Sequence, residues 1–472
     1  MKKTDVYDII IIGAGSGGLN IASFMNRVGF KVLLIDKSDK NIGGDCLNYG
    51  CVPSKALIHI AKLSHDAKEI QRFLKTKQNT AEIDLSLVAN YVNQKKEVIR
   101  VNENAEYFRN KGMDVELGVA KFHSKDTVVV NEKLFKAKKI VLATGSRPRT
   151  LDIPGINKVK FQTNETIFDL KKLPKKLLVI GGGPIGMELG QAFSRLGSEV
   201  SIIQRGSDFL PKENPEISQI LCKKFKKEGI IIHNNSTPVS FEDAHTIVVE
   251  KEGKNIQFSF DEILISIGRQ LNIEGLNLDK AGISIEKGRI LIDDYLRTTN
   301  KKVFVCGDVA GSYQFTHAAE LHAGVILSNL FKPKILWKKV NYDKLSWVTY
   351  TSPEIATFGL NEEELKKRNI PYRKIIQDFT EEDRAIVDEN TSGKLVLFIA
   401  KGKLLGGTMI AEHAGELFQE LVLANTLGLK IASMFGKIYP YPTASRINKR
   451  AISQIMVEKL TPFSKKFLKS LY

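Results

Sequence analysis

Residues 7–25 of this 472-residue chain read YDIIIIGAGSGGLNIASFM, an apolar run followed by a glycine-rich turn and a helical pattern. Gly13, Gly15 and Gly18 have the G-x-G-x-x-G spacing of a dinucleotide-binding turn between a strand and a helix. Such glycines make the tight turn, let the backbone approach a pyrophosphate and pack the helix on the strand. The next apolar run, KVLLIDKS, ends a second strand at Asp36. A carboxylate there can accept ribose hydroxyls, so these four residues are predicted to bind a dinucleotide.

A second copy of the pattern lies at residues 176–197, which read KLLVIGGGPIGMELGQAFSRLG. Its glycines repeat the same spacing and are Gly181, Gly183 and Gly186. A repeat at this separation indicates a duplicated domain, because solenoid repeats recur every ~20–50 residues. Each copy is followed by a further strand that ends near a glycine, Gly145 in the first case and Gly268 in the second.

The order of these segments predicts that the second dinucleotide unit is inserted into the first. The strand KKVFVCGDVAG, around Asp308, follows the second unit, and the remaining residues alternate short strands with helical patterns. We therefore predict an α/β fold with two Rossmann-like dinucleotide-binding domains and a C-terminal α+β domain. The predicted bounds are 1–150 with 270–335 for the first domain, 151–269 for the second and 336–472 for the third.

The composition argues against several classes of protein. The formal net charge is +17, but the lysines are spread along the chain, which indicates a solvated surface and no nucleic-acid site. No apolar run reaches the ~18 residues of a transmembrane helix. The apolar start is interrupted by Asp8 and leads into the glycine turn, so we interpret it as a buried strand and not a signal peptide. A cytoplasmic protein is expected.

Two cysteines, Cys46 and Cys51, lie in the segment GGDCLNYGCVPSK. Positions five apart on a regular helix differ by about 140° and could not form a disulfide. Proline is favoured in the first turn of a helix, so Pro53 predicts that the regular helix begins near residues 52–54. Residues 46–50 can then form a distorted turn that closes a disulfide. Cys51 would lie at the helix N-terminus, where the dipole favours the nucleophilic thiolate.

Two alternatives remain for this pair, namely inert buried thiols or half of a zinc site. A structural zinc needs four ligands, and the other two cysteines, Cys222 and Cys306, stand apart without a histidine cluster. We interpret Cys222 and Cys306 as buried packing residues, and no metal site is predicted. Four irregularly spaced cysteines are also too few for a secreted disulfide framework.

With these motifs in order along the whole chain, the sequence resembles the pyridine nucleotide-disulphide oxidoreductase family, which includes dihydrolipoamide dehydrogenase, glutathione reductase and mercuric reductase. The most specific element is GGDCLNYGCVPSK, which matches the family's redox-active motif. The resemblance implies FAD in the first site and a redox-active disulphide between Cys46 and Cys51. Cys51 would be the thiol nearest the flavin, which forms the charge-transfer thiolate, and Cys46 the interchange thiol that attacks the substrate.

The resemblance also implies roles for residues outside the cysteine pair. Lys55 and Glu188 match an ion pair near flavin N5, and Asp308 matches the acid that holds the ribityl chain. Lys55 follows Cys51 by one helical turn on roughly the same face, although either charge could instead be an ordinary surface group. Further glycines implied to line the cofactor sites are Gly44, Gly145 and Gly268. The C-terminal domain would build a homodimer whose active site takes residues from both subunits.

The second fingerprint is predicted to bind NADPH. The strand SEVSIIQRG ends at Gln204 and Arg205, where a carboxylate would instead favour NADH by binding the ribose 2′-hydroxyl. A guanidinium suits a 2′-phosphate, so Arg205 favours NADPH. The alternative is a solvated Arg205 in an enzyme that accepts NADH.

The C-terminal domain departs from the family at its catalytic base. Thiol-reducing members carry a His-x-His-Pro-Thr motif followed by a Glu, whereas this chain reads IYPYPTASR. Tyr441 stands at the catalytic His position, Tyr439 at the earlier His and Arg446 at the Glu. Histidine, with an ordinary pKa of about 6.5, exchanges protons near neutral pH, whereas tyrosine, at about 10, is a poor base. Dithiol–disulphide exchange is therefore expected to be inefficient.

Several acceptors remain open for this reason. The first hypothesis is a dihydrolipoamide dehydrogenase-like oxidoreductase that passes electrons from NAD(P)H to a small-molecule or disulphide acceptor. Tyr441 resembles mercuric reductase, where a metal ion or other non-thiol acceptor needs no such base, although the tail VEKLTPFSKKFLKSLY lacks that enzyme's cysteine pair. A low-turnover membrane-associated flavoprotein is the third hypothesis.

The same tail suggests a basic amphipathic segment. Apolar residues alternate with lysines and are Phe463, Phe467, Leu468 and Leu471. Such a segment can lie on an anionic membrane surface. The alternative is a frayed or subunit-packed terminus.

Overall fold

The protein is described by a computed structural model that covers residues 6–76, 82–458 and 460–472. The first five residues of the predicted first domain, the short stretch 77–81 and residue 459 of the predicted tail lie outside the described residues. The α-helices of the described residues are α1 (Ser16–Arg27), α2 (Gly44–Asn48), α3 (Cys51–Glu69), α4 (Leu85–Arg100), α5 (Ala105–Asn110), α6 (Pro184–Leu196), α7 (Pro215–Lys227), α8 (Thr316–Leu330), α9 (Glu362–Lys367), α10 (Asp383–Val387), α11 (Ala414–Leu417), α12 (Gln419–Leu427), α13 (Arg446–Val457) and α14 (Pro462–Leu471).

The β-strands are mostly short. In chain order they are β1 (Val6–Ile12), β2 (Val32–Asp36), β3 (Asp114–Leu117), β4 (Lys121–Ser124), β5 (Thr127–Val130), β6 (Lys133–Leu142), β7 (Ser146–Pro148), β8 (Lys176–Ile180), β9 (Glu199–Ile203), β10 (Ile231–His233), β11 (Ser236–Phe241), β12 (Thr246–Lys251), β13 (Lys254–Ser259), β14 (Glu262–Ile265), β15 (Arg269–Leu271), β16 (Ile285–Glu286), β17 (Arg289–Ile290), β18 (Val303–Val305), β19 (Ser346–Thr349), β20 (Glu354–Gly359), β21 (Arg373–Asp378), β22 (Lys394–Ala400) and β23 (Lys403–Ala411).

The first sheet has the strand order β3-β2-β1-β6-β5-β4, and β18 also pairs with β6. Strands β1, β2 and β3 run parallel, as does β18 beside β6. The run Ile9–Ile12 is buried on both faces, as the near-continuous apolar sequence of a central parallel strand requires. Because β18 returns to the first sheet after the second fingerprint, the predicted insertion of one dinucleotide unit into the other is confirmed.

The second fingerprint repeats the local architecture of the first. Strands β8 and β9 are parallel and joined through α6, as β1 and β2 are joined through α1. Strand β14 pairs in parallel with the other side of β8. Strands β7 and β15 pair antiparallel where the chain leaves the first sheet and where it returns.

The C-terminal sheet is antiparallel, with the order β19-β20-β23-β22-β21. Its buried face packs with side chains of α11, α12 and α13 in one hydrophobic core. Residues 414–427, in the part of the chain where the sequence alternates strands with helical patterns, form two helices that meet at Phe418. The aromatic ring of Phe418 is buried in the core, against Phe358.

The chain divides into two compact units. The first contains residues up to Gly181, Ala192–Ile203 and Thr237–Val340; the second contains Gly182–Gln191, Gln204–Ser236 and the residues from Asn341 onward. The three-domain scheme inferred from the sequence stays a prediction. Across the described residues, no helix combines the length and the apolarity that crossing a bilayer requires.

The packing of α1 on β1 depends on a missing side chain. A Cβ on Gly18 would lie 2.1 Å from the carbonyl oxygen of Gly13 and 3.1 Å from Ile11. We expect Gly18→Ala to lower the free energy of unfolding by about 1–3 kcal/mol, because the helix must move away from the strand. Urea denaturation of the purified protein measures this loss.

Gly324→Ala is the matched control, because Gly324 lies within α8 and a Cβ there meets open space. This variant should be stabilised by about 0.5–1 kcal/mol, the usual difference between alanine and glycine in a helix. Equal stability of Gly18→Ala and the wild type would contradict the close packing of α1 on β1.

Candidate functional site

The first glycine turn has the geometry of an anion-binding helix start. Helix α1 begins after Gly15, and no side chain caps it, so its first N–H groups are available to an anion. Gly13 has a φ of +105°, and a Cβ there would lie 2.3 Å from the carbonyl oxygen of Ala143. Only glycine fits such a position. The turn thus places backbone N–H groups, uncapped by any side chain, at the N-terminus of α1.

The cysteine-bearing segment lies directly against this turn. Gly44 has a φ of +63°, and a Cβ on it would lie 2.6 Å from the Cα of Gly15. The N–H of Gly43 donates to the carbonyl oxygen of Ala14 at 2.9 Å. Backbone therefore packs on backbone at this point, and the start of α2 borders the dinucleotide turn. Among the predicted cofactor residues, the structure brings Gly13, Gly15 and Gly44 together.

Asp36 is the last residue of β2 and lies at the same end of the first sheet as the glycine turn. Its carboxylate accepts the N–H of Ala14 at 2.7 Å and the N–H of Lys37 at 2.7 Å. Burial raises the pKa of Asp36, and the two backbone hydrogen bonds oppose that rise. Each carboxylate oxygen has a second lone pair that can accept a hydroxyl. The predicted contact of Asp36 with a ribose stays a prediction.

A buried arginine links the cysteine segment to the acid at the end of β18. The guanidinium of Arg269 donates to Asp45 Oδ1 at 2.9 Å and to Ser146 Oγ at 2.6 Å. Ser146 donates in turn to Asp308 Oδ2 at 2.6 Å. Burial raises the pKa of Asp308, while Ser146 and Arg269 act to lower it. The network holds Asp45, which precedes Cys46, in a fixed relation to Asp308.

Sequence reasoning missed Arg269, Ser146 and Asp45. The signal was available, because Arg269 and Ser146 each follow a glycine that was predicted to line a cofactor site. Those glycines, Gly268 and Gly145, have φ values of +109° and +69°.

These residues fit FAD. The glycine turn offers uncapped N–H groups for a pyrophosphate. The cradle between Gly15 and Gly44 would be filled by any Cβ on Gly44. The two contacts of Asp308 both use Oδ2, which leaves Oδ1 to accept a hydroxyl of a polyol chain.

The two cysteines lie on consecutive helices. Cys46 is in the short helix α2, and Cys51 begins α3. The sequence placed this helix start at residues 52–54 and a distorted turn at 46–50. In the structure the helix begins one residue earlier, and only Tyr49 and Gly50 interrupt the helical path. The break is sharp because Gly50 adopts φ −116° and ψ −112°.

Both cysteines are free thiols in this structure, and they interact. The pKa of the Cys46 thiol is raised well above its ordinary value, first by its hydrogen bond with Cys51 and then by burial. This raised pKa favours a protonated thiol at Cys46. Cys51 Sγ also lies 3.6 Å from the hydroxyl oxygen of Thr316, a residue that the sequence analysis missed. Of the other cysteines, Cys306 is buried as predicted and Cys222 is only half-buried.

The predicted catalytic charges have defined local contacts. Lys55 lies on α3, one turn after Cys51, and its Nζ donates to Ser54 Oγ at 3.3 Å. Glu188 is buried on α6 and accepts the N–H of Tyr350 at 2.8 Å. Their pairing beside a flavin stays a prediction.

At the second fingerprint, Gly181 has a φ of +114°, and a Cβ there would lie 2.4 Å from the carbonyl oxygen of Ser266. A Cβ on Gly183 would meet open space, and Gly186 is buried within α6. The Gln204 side chain accepts the N–H of Gly182 at 3.0 Å and donates to the carbonyl oxygen of Asp208 at 3.0 Å.

Gln204 is thus engaged with the glycine turn, whereas Arg205 beside it is exposed. The contact of Arg205 with a 2′-phosphate of NADPH stays a prediction.

The two C-terminal tyrosines have opposite environments. Tyr439 is buried, donates its hydroxyl to Glu420 at 2.9 Å and has its pKa raised by burial. Tyr441 is 68% exposed, and the guanidinium of Arg446 lies 5.2 Å from its ring centre. Tyr441 is therefore the one of the two that this unit presents outward. Within the described ranges, no group of three or more His, Cys, Asp or Glu residues could hold a metal ion.

Comparisons with known proteins agree with this geometry. The family model described as pyridine nucleotide-disulphide oxidoreductase matches residues 7–323, and its dimerisation domain matches residues 345–452. The chain is 35% identical over 469 residues to a mercuric reductase of Bacillus cereus, covering 96% of this chain and 73% of that protein. It is 33% identical over 463 residues to the mitochondrial dihydrolipoyl dehydrogenase of Pisum sativum, covering 95% and 91%.

A solved structure has the same fold. It is the Cu(II) complex of the HOCl-induced flavoprotein disulfide reductase RclA from Escherichia coli, with a TM-score of 0.83 and 25% identity. The match covers 96% of this chain and all of that chain. Members of the matched family use FAD and NAD(P)H, and the dimerisation domain supports a homodimer. This chain belongs to the pyridine nucleotide-disulphide oxidoreductase family.

Proposed function

We propose that this protein is an NADPH-dependent reductase whose cysteine pair, Cys46 and Cys51, delivers electrons to a metal ion. The observation that carries the proposal is an intact cysteine pair combined with a C-terminal segment that lacks an acid–base group. Tyr441 is exposed, with Arg446 beside it. By the resemblance of the sequence to the family, these two residues stand where thiol-reducing members have His and Glu.

The chemistry of the acceptor explains why that base can be absent. When a disulphide is reduced, the leaving thiolate must be protonated, and histidine supplies this proton in thiol-reducing members. A metal ion binds thiolate directly and leaves no sulfur that needs a proton. The relatives support this choice, since the similar Bacillus cereus protein is a mercuric reductase and the similar RclA structure is a Cu(II) complex.

The roles of the residues follow from their positions. The glycine turn, Asp36 and Asp308 would hold FAD, whose chemistry would connect hydride transfer from the nicotinamide to reduction of a Cys46–Cys51 disulphide. Cys46, which holds a thiol proton, loses it to solvent when it binds the metal ion. As the S–S bond forms again, its two sulfurs give up one electron pair, which reduces one Hg(II) to Hg(0) or two Cu(II) to two Cu(I). Arg269 keeps Asp45, and with it the start of the cysteine segment, in place.

The acceptor is tested by turnover with purified holoenzyme. Wild type should oxidise NADPH with Cu(II) or Hg(II), and Cys46→Ser should abolish this. Lipoamide turnover should be poor and should rise by about 100-fold in Tyr441→His/Arg446→Glu, because an acid–base pair contributes at least that factor.

Cys222→Ala is the matched control, because it removes a thiol outside the pair, and it should keep the metal-dependent turnover. Brisk lipoamide turnover by the wild type would favour dihydrolipoamide as the substrate, which the Pisum sativum relative supports. Full metal-dependent turnover by Cys46→Ser would contradict the proposal.

The preference for NADPH rests on Arg205. We expect Arg205→Ala to raise the KM for NADPH by about tenfold, because a charge-assisted contact with the 2′-phosphate is lost. The KM for NADH, which lacks that phosphate, should stay the same and provides the internal control. Equal changes for the two nucleotides would show that Arg205 does not read the 2′-phosphate.

A second candidate role is contact with an anionic membrane surface through α14. The apolar side chains of this helix are exposed, Phe463 by 80% and Leu471 by 69%. At about 100° per residue, the apolar side chains share one side of the helix and the lysines the other. The lysines are Lys465, Lys466 and Lys469. A short helix with this division suits an anionic lipid interface.

Co-sedimentation with vesicles tests this role. Wild type should sediment with phosphatidylglycerol vesicles and not with phosphatidylcholine vesicles. Binding of Lys465→Gln/Lys466→Gln/Lys469→Gln should fall by at least about tenfold, since each lysine contributes about 1 kcal/mol near an anionic surface. Phe463→Ser/Phe467→Ser should also lose binding. Equal sedimentation of wild type and a chain without residues 456–472 would remove the membrane role and favour a subunit-packed terminus.

A further inference from the structure

We infer that Thr316 is a catalytic residue, whose hydroxyl donates a hydrogen bond to the Cys51 thiolate and stabilises the reduced cysteine pair. The inference rests on the proposed redox role of Cys46 and Cys51. It adds the group that stabilises the Cys51 thiolate in the reduced pair before the acceptor binds.

The contact is direct. Thr316 Oγ1 lies 3.6 Å from Cys51 Sγ, within hydrogen-bonding distance for sulfur. The same hydroxyl also acts on the other cysteine, where its hydrogen bond counteracts the raised pKa of Cys46. One hydroxyl therefore serves both sulfurs, although it is 265 residues away from Cys51 in the sequence.

Cys51 Sγ also lies near the N-termini of two helices, α3 and α8. Cys51 is the first residue of α3, and Thr316 is the first residue of α8, which are 19 and 15 residues long. No side-chain hydrogen bond caps either helix. The partial positive charge of each N-terminus favours a thiolate nearby. The hydroxyl of Thr316 adds a directed donor to this field.

The position of Thr316 is fixed by contacts further along α8. The N–H of Gly307 donates to Nδ1 of buried His322 at 3.1 Å, and Cys306 Sγ donates to the carbonyl oxygen of Ala319 at 3.5 Å. Burial lowers the pKa of His322 to about 4, so the imidazole is neutral and can accept this bond at physiological pH. These hydrogen bonds hold helix α8 against residues 306 and 307, which directly precede Asp308.

The proposed role differs from that of a base. A threonine hydroxyl does not take up a proton near neutral pH, so Thr316 forms and breaks no covalent bond. It donates a hydrogen bond to whichever sulfur carries the charge. When Cys46 loses its proton to solvent on binding the acceptor ion, that ion meets the charge on Cys46, and the Thr316 hydroxyl still donates to Cys51. A hydrogen bond of this kind suits a site in which no histidine of the C-terminal domain is available to exchange protons with the sulfurs.

The test is the pH dependence of the long-wavelength thiolate–flavin absorbance in the NADPH-reduced holoenzyme. In Thr316→Val, which keeps the shape but removes the hydroxyl, the midpoint of this absorbance should rise by about one pH unit, since a hydrogen bond to a charged group is lost. Thr316→Ser should restore the wild-type midpoint. Ser64→Ala is the matched control, because Ser64 lies on the same helix as Cys51 and its hydroxyl donates to the carbonyl oxygen of Arg195 and not to the sulfur, so the midpoint of this variant should not move.

A second readout is the pH profile of iodoacetamide alkylation of the reduced pair, which should move upward in Thr316→Val together with the absorbance. If Thr316→Val does not retain FAD, Thr316→Ala takes its place in both measurements. An unchanged midpoint in the variant that lacks the hydroxyl overturns the inference, as does failure of Thr316→Ser to restore it. Absence of the absorbance in wild type at every pH would instead contradict the proposed function. Failure of the Thr316 inference and failure of the proposed function are therefore distinguishable.

Discussion

The contact between Gly44 and Gly15 is the constraint on which the rest of the site depends. A Cβ on Gly44 would lie 2.6 Å from the Cα of Gly15, so only a bare backbone lets the cysteine segment lie against the dinucleotide turn. Arg269 then fixes this segment from the other side through Asp45. Together these contacts hold the start of the cysteine segment against the first glycine turn.

The electrostatics of the pair favour a resting thiol at Cys46 and a charge at Cys51. The hydrogen bond with Cys51, followed by burial, raises the pKa of Cys46, whereas Cys51 lies at a helix N-terminus with the Thr316 hydroxyl beside it. Such a pair can store electrons with no help from a histidine. The proposed position of exposed Tyr441 where thiol-reducing members have His is compatible with an acceptor that binds to thiolate directly, and it argues against an acceptor whose sulfur must be protonated.

The sequence predicted the parts of the site that are local in the chain. Both glycine turns followed from apolar runs and glycine spacing, because each depends on neighbouring residues. The insertion of the second unit followed from the order of these segments along the chain. The start of α3 was predicted one residue late, since proline marks the first turn of a helix but not its first residue.

Contacts between distant segments were beyond such patterns. The glycines that precede Arg269 and Ser146 indicated a nearby cofactor site, but no local pattern indicated that Arg269 contacts Asp45 and Asp308. Nor did any local pattern indicate that Thr316 meets Cys51. Likewise, Tyr439 and Tyr441 are alike in sequence, and only the fold buries one and exposes the other.

The central claim is that Cys46 and Cys51 exchange between a disulphide and a dithiol at the expense of the nicotinamide nucleotide. The most direct measurement is the thiol titre of the anaerobic holoenzyme, unfolded and labelled before and after addition of one equivalent of NADPH per flavin. The account predicts that the titre rises by one pair of thiols per chain and that peptide mapping assigns both new labels to Cys46 and Cys51. An unchanged titre, or new labels on Cys222 or Cys306, would contradict it.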